Sequence, residues 1–143
     1  MQRVFSQDGT QIAYDVAGDG PALILVGGAL SFRGFEGARE MLALLAPRFT
    51  VINFDRRGRG DSGDTLPYAV EREVEDIEAL IDAAGGTAYL YGTSSGAVLA
   101  LEAASRLPDK VRGLLMYEPP LILDDRRPPV TADYVRRLEQ TLA

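Results

Sequence analysis

Tyr89-Leu-Tyr-Gly92-Thr-Ser94-Ser-Gly96-Ala-Val-Leu-Ala-Leu-Glu-Ala-Ala104 is the stretch that decides the fold. An aromatic and aliphatic run stops at Gly92, and an Ala/Leu-rich helical run begins straight after Gly96. Between them stands a serine flanked by glycines, in the pattern Gly-x-Ser-x-Gly. An ordinary tight turn could carry the same five residues. A strand before them and a helix after them is the context of a nucleophile elbow. Gly92 and Gly96 suit a turn too tight for side chains. The turn projects Ser94 at the carboxyl end of a sheet, against the positive end of a helix.

The flanking sequence supports this reading. Arg3 to Ser6 and Gln11 to Val16 read as strands joined at Asp8-Gly9, a hairpin signal. Ala22 to Val26 is a continuous apolar run, as in a strand covered on both faces. Phe35 to Ala46 reads as an amphipathic helix stopped by Pro47, and Thr50 to Phe54 as a strand ending at Asp55. After a Gly/Arg-rich loop over 55–67, Val70, Val74, Ile77 and Ile81 recur at helical spacing. Gly85-Gly86 closes that helix. Thr87 to Tyr91 reads as a strand, Ser95 to Arg106 as a helix and Val111 to Tyr117 as a strand. A linker over 124–129 leads into a final helix from about Ala132. Alternating strands and helices after a hairpin predict an α/β domain with a mostly parallel, doubly wound sheet. Ligands of such sheets bind at the carboxyl ends of the strands, where Ser94 falls.

Composition excludes several classes. The 143 residues are 46% hydrophobic and 25% charged, ordinary values for a globular domain. A net charge of −6 with no basic cluster on a helical face argues against nucleic acid or an anionic membrane as partner. There is no cysteine, which removes disulfides and thiolate metal sites. Neither a signal peptide nor a membrane span is legible, so the expected location is cytoplasmic. Gly58-x-Gly60-x-x-Gly63 matches a dinucleotide fingerprint, but Leu66-Pro67 intervenes before the helix, and the position for a ribose-binding acid falls at Asp82, inside it. Arg59-Gly-Asp61 lacks the secretory context of an adhesion signal. No metal or organic cofactor is implied.

Four features in order resemble the α/β-hydrolase fold, of the capped esterase/lactonase type. They are the hairpin with Asp8-Gly-Thr-x-Ile-Ala-Tyr14, the apolar strand into Gly27-Gly28, the loop Asp55-x-Arg-Gly-x-Gly-x-Ser62, and the elbow. The resemblance covers residues 1–120 as the N-terminal part of the core and 121–143 as linker and first helix of a lid, so the chain looks truncated. It implies Ser94 as nucleophile of an ester or lactone hydrolase, on a small ester-like substrate. The Ser95 N–H would supply one oxyanion donor, and Ala29 or Gly28 the other. Many relatives carry His-Gly where this chain has Gly27-Gly28, and histidine where it has Thr93. Asp55 and Arg57 are expected to brace the loop framing the site.

The resemblance also exposes what is missing. In this fold the acid and the histidine follow the serine, yet the chain contains no histidine at all. Lys110, the single lysine, starts its strand and stands roughly 20 Å from the serine's end. Glu118 lies just past the strand beside the elbow, where some members of the fold keep the triad acid. It is the candidate acid, able to orient a histidine and not to replace one. Little turnover of activated esters is therefore expected from the isolated chain. The alternative is a non-catalytic binding or assembly module on a degenerate fold. As a consequence of truncation the apolar edge of strand 111–117 would be left open, inviting a second copy or a complementing C-terminal fragment.

Overall fold

The computed structural model describes residues 1–124 and 130–142. The chain forms β1 (Gln2–Phe5), β2 (Gln11–Ala17), β3 (Ala22–Val26), α1 (Glu36–Leu45), β4 (Thr50–Phe54), α2 (Val70–Ala83), β5 (Ala88–Thr93), α3 (Ser95–Arg106), β6 (Val111–Tyr117) and α4 (Ala132–Leu142). The six strands make one sheet in the order β1-β2-β4-β3-β5-β6. β1 and β2 are antiparallel to their neighbours, and the pairings among β4, β3, β5 and β6 are parallel. This is the doubly wound α/β sheet with an N-terminal hairpin. β5 runs to Thr93, two residues beyond the expected Tyr91, because its pairing with β6 continues to the turn, Thr93 opposite Tyr117.

Every residue of β3 is buried, as its unbroken Ala-Leu-Ile-Leu-Val run requires. One face packs on α2 and α3. There Ile24, Ile52 and Leu90 meet Ile77, Leu80, Ile81 and Ala100. The other face meets α1, where Leu23, Leu25 and Val51 lie under Met41, Leu42 and Leu45. The two covers are unequal. α2 buries six residues and α1 buries none. Beyond α1, on the β5–β6 side, this face opens to solvent: Leu115 and Tyr117 are more than half exposed. Where one helix must cover that whole face, its Leu42 and Leu45 stay half-buried.

The termini of the elements follow the sequence signals. Gly9, at φ 82°, turns the hairpin, and Asp8 caps it by accepting the Thr10 N–H. Gly85 and Gly86, both left-handed, close α2, with the Gly86 N–H bonded to the Ile81 carbonyl. α4 exposes all its described side chains. The expected linker lies for the most part outside the described residues, at 125–129. Among the described residues no helix is long and apolar enough to cross a membrane.

Local stability should mirror this unequal burial, since opening is easiest where few apolar contacts are lost. In native-state hydrogen exchange, α1 amides should exchange well before those of α2 and α3. Equal protection of all three helices would contradict the packing described.

Candidate active site

Ser94 occupies the turn between β5 and α3 with φ 54° and ψ −124°. A non-glycine residue there is strained by crowding of its Cβ, at a cost of order 1–3 kcal/mol. The surroundings hold it in place. The Ser94 N–H donates to the Tyr117 carbonyl at 2.9 Å, and the Ala97 N–H donates to the Ser94 carbonyl at 2.9 Å. The flanking glycines admit no larger residue. A Cβ on Gly92 would lie 2.4 Å from Ala97 Cα, and one on Gly96 would lie 2.1 Å from the Val26 carbonyl oxygen. α3 thus starts directly against the end of β3, and the Ser94 side chain is left exposed at the sheet's carboxyl edge.

Ser94 lines a cavity of about 700 Å³ together with Gly28, Ala29, Leu25, Met41, Tyr91 and Tyr117. A Cβ on Gly28 would come within 3.3 Å of Ser94 Cβ, so the loop after β3 lies close against the serine. Gly28-Ala29-Leu30-Ser31 is a turn closed by the Ser31 N–H on the Gly28 carbonyl at 3.2 Å. Ser95 opens α3, so its N–H has no acceptor within the helix. The expected donors Ser95, Ala29 and Gly28 are therefore gathered around one serine. Glu118 follows β6 at φ 49°, at the sheet end that also carries Ser94, and its side chain is exposed. Lys110 is at the opposite end, paired with Asp82 at 2.6 Å and Glu78 at 2.9 Å.

The loop after β4 is built of arginines and carboxylates. Asp55 is buried and accepts the Arg33 N–H at 2.6 Å, the Arg33 Nε–H at 3.1 Å and the Asp61 N–H at 2.9 Å. Gly60 has to be glycine, because a Cβ there would sit 2.3 Å from the Asp55 carboxylate. Arg57 is clamped by Asp76 at 2.7 and 2.8 Å and by Asp8 at 2.9 Å, which ties the loop to α2 and to the hairpin. Asp55 and Arg57 do brace the loop, as expected. The glycines 58, 60 and 63 bend it without leading into a helix, since α2 starts only at Val70.

Sequence reading missed Arg33, Arg56 and Arg59. Arg56 is buried and holds Glu73 with two hydrogen bonds of 2.5 and 2.6 Å. Its Nη1 turns to the Gly27 carbonyl at 3.3 Å and to Ser95 Oγ at 3.4 Å. Arg59 Nη1 donates to the Gly28 carbonyl at 3.0 Å. Burial works against the Glu73 carboxylate, but the hydrogen bonds and charge of Arg56 outweigh it and hold its pKa below the ordinary value. The signal for Arg56 and Arg59 is a cluster with Arg57 within five residues of the end of β4, which shows neither direction nor partner.

A strained serine between a parallel strand and a helix, beside a glycine loop rich in backbone donors, defines the α/β-hydrolase class. A profile of the alpha/beta hydrolase family matches residues 22–142, and the chain belongs to that family. Over 99% of its length it superposes on an alpha/beta hydrolase from Sphaerobacter thermophilus with 57% identity and a TM-score of 0.90, covering 54% of that chain. An esterase from Rhodococcus sp. ECU1013 is 28% identical with a TM-score of 0.72, over 80% of this chain and 44% of the other. The uncharacterized hydrolase YraK of Bacillus subtilis is 34% identical over 119 residues, 80% of this chain and 43% of that protein. The chain spans about half the length of the relatives it matches.

Replacing Glu73 by Gln leaves the buried Arg56 charge uncompensated and should cost about 3–5 kcal/mol at neutral pH. Because the folded pKa of Glu73 is lowered, its contribution is complete above the ordinary glutamate value, about 4.3, and is lost as pH falls through the folded pKa. Denaturant unfolding of Glu73→Gln against the parent should show the full gap at pH 7 and a shrinking one below about pH 4. A gap near zero at pH 7 would show that the pair does not hold the loop.

Proposed function

We propose that this chain carries the nucleophile and the oxyanion donors of a serine hydrolase acting on ester-like substrates, lactones included. The observation that carries the reading is Ser94 held at φ 54° with its side chain open to a cavity of about 700 Å³ and the Gly28 backbone against it. In this reading Ser94 Oγ attacks the substrate carbonyl and loses its proton to a base. The carbonyl oxygen becomes an oxyanion, accepting hydrogen bonds from the N–H groups of Ser95 and Ala29, with Gly28 as the neighbouring donor. Losing one such donor costs ~10²–10³ in rate. The alcohol leaves with a proton, and water releases the acid from the acyl-serine. No step calls on a metal or an organic cofactor.

The base comes from outside these 143 residues, since they hold no histidine. Glu118 serves as the candidate acid that orients that histidine. The relatives described as a hydrolase and an esterase support the reaction class, and the esterase supports the choice of an ester.

The isolated chain should turn over p-nitrophenyl acetate barely faster than buffer. Addition of the C-terminal part of the Sphaerobacter relative should raise turnover by ~10³ or more, the effect of supplying a missing triad member. Ser94→Ala should abolish that gain. Turnover in the supplemented mixture that survives Ser94→Ala would sink the proposal.

A second reading, an assembly module without chemistry, is favoured by β6. Among the described residues this strand pairs with β5 alone, and Leu115 and Tyr117 lie exposed along it. An unpaired apolar edge is a template for association. Sedimentation of the isolated chain should then show a dimer or larger species. A monodisperse monomer with protected β6 amides would contradict assembly through that edge.

A further inference from the structure

Four arginines surround the carboxyl end of the sheet, and three have carboxylate partners. Arg33 pairs with Asp15, Asp55 and Asp61, Arg56 with Glu73, and Arg57 with Asp76 and Asp8. Arg59 differs. It is half-buried, and among the described residues no carboxylate pairs with it. Among the described residues its one hydrogen bond goes to a neutral acceptor, the Gly28 carbonyl. Glu73, the acid whose charge acts on it, is already held by both arms of Arg56. Burial, together with the like charge of Arg56, lowers the pKa of Arg59. Those are the circumstances of a cation short of a counter-ion, and a partly desolvated charge without one is costly.

The place of this charge matters. Arg59 lines a depression of about 420 Å³ with Ala29, Leu30, Ser31, Phe32 and Gly60. Ala29, Leu30 and Ser31 also wall the cavity that holds Ser94, so the two spaces adjoin. A guanidinium carries five N–H donors in a planar fork that matches a carboxylate. Among the described residues only one nitrogen of Arg59 is engaged, which leaves donors for an incoming anion. The chain's net charge of −6 repels anions at long range, but physiological salt screens such fields within about 8 Å. A local cation then decides the matter.

Building on the hydrolase reading of Ser94, we propose that Arg59 recognises a carboxylate on the substrate, so that the site takes esters bearing a second, ionised acid group in preference to neutral esters. The guanidinium that would bind this carboxylate also holds the Gly28 carbonyl. That carbonyl belongs to the peptide whose N–H is Ala29's, and in a trans peptide the two point oppositely. Docking of the anion is thereby joined to the orientation of an oxyanion donor.

The test uses the whole chain, with succinate as probe and succinamide as its neutral counterpart, followed by NMR of the backbone amides and the Arg59 Nε–H. Succinate should shift the Arg59 Nε–H and the Gly28 and Ala29 amides saturably, and succinamide should not. Arg59→Gln should weaken succinate binding by ~10-fold or more, the effect of losing a charge-assisted hydrogen bond. Arg48→Gln, at an exposed position, should leave it unchanged. If Arg59→Gln does not fold, the parent's contrast between the two probes, with the Arg59 Nε–H among the shifted signals, decides. Equal response to both probes, unchanged binding in a folded Arg59→Gln, or no saturable shift up to roughly 100 mM succinate, far weaker than millimolar affinity, overturns the proposal. A chain that binds succinate through Arg59 but gives no Ser94-dependent ester turnover when supplemented loses the hydrolase reading and keeps the anion site.

Discussion

The start of α3 lies so close to the end of β3 that a Cβ on Gly96 would stand 2.1 Å from the Val26 carbonyl and 2.5 Å from that of Gly27. Other features of this end of the sheet follow from that approach of two backbones. It fixes how sharply the chain must turn after β5, and so obliges Ser94 to take a positive φ. It brings the Ser95 N–H and the glycine loop after β3 to the same point. A larger residue at position 96 would push helix and strand apart, and under the proposed function the serine would lose its oxyanion donors.

The loop after β4 supplies the restraint that a glycine loop cannot supply for itself. Gly27, Gly28 and Ala29 have no side chain able to hold them. Two arginines do so from outside, Arg56 on the Gly27 carbonyl and Arg59 on the Gly28 carbonyl, while Arg33, further along the same loop, ties it to Asp55. Arg57 anchors this scaffold in turn to α2 and the hairpin. Backbone donors arranged in advance stabilise developing charge because nothing has to reorganise when it forms. The buried ion pairs are a costly way to gain stability alone. Here they are arranged around the peptides that face the serine.

Much of this was legible in the residues, and the remainder was hidden for physical reasons. Ala22–Val26 and the helical spacing of Val70, Val74, Ile77 and Ile81 announce buried surfaces, and the observed elements follow them closely. Gly92-x-Ser94-x-Gly96 declares its turn because only glycine tolerates that crowding. Periodicity could not show that α1 buries no residue, since coverage depends on how many helices share a face. Nor could it show the arginine scaffold. Arg33 meets Asp55 across 22 positions and Arg56 meets Glu73 across 17, contacts created by the crossovers and not by local spacing. Arg56, Arg57 and Arg59 look alike in sequence, yet they point to three different partners.

The proposed function makes Ser94 the reactive side chain and leaves its base to be supplied. The most direct measurement is peptide mapping by mass spectrometry after exposure to a fluorophosphonate, with the C-terminal part of the Sphaerobacter relative present. A single adduct is expected, on Ser94, with Ser31, Ser62 and Ser95 unmodified, and a far slower reaction without the added segment. An adduct on another serine, or none under conditions where the full-length relative is labelled, would contradict it.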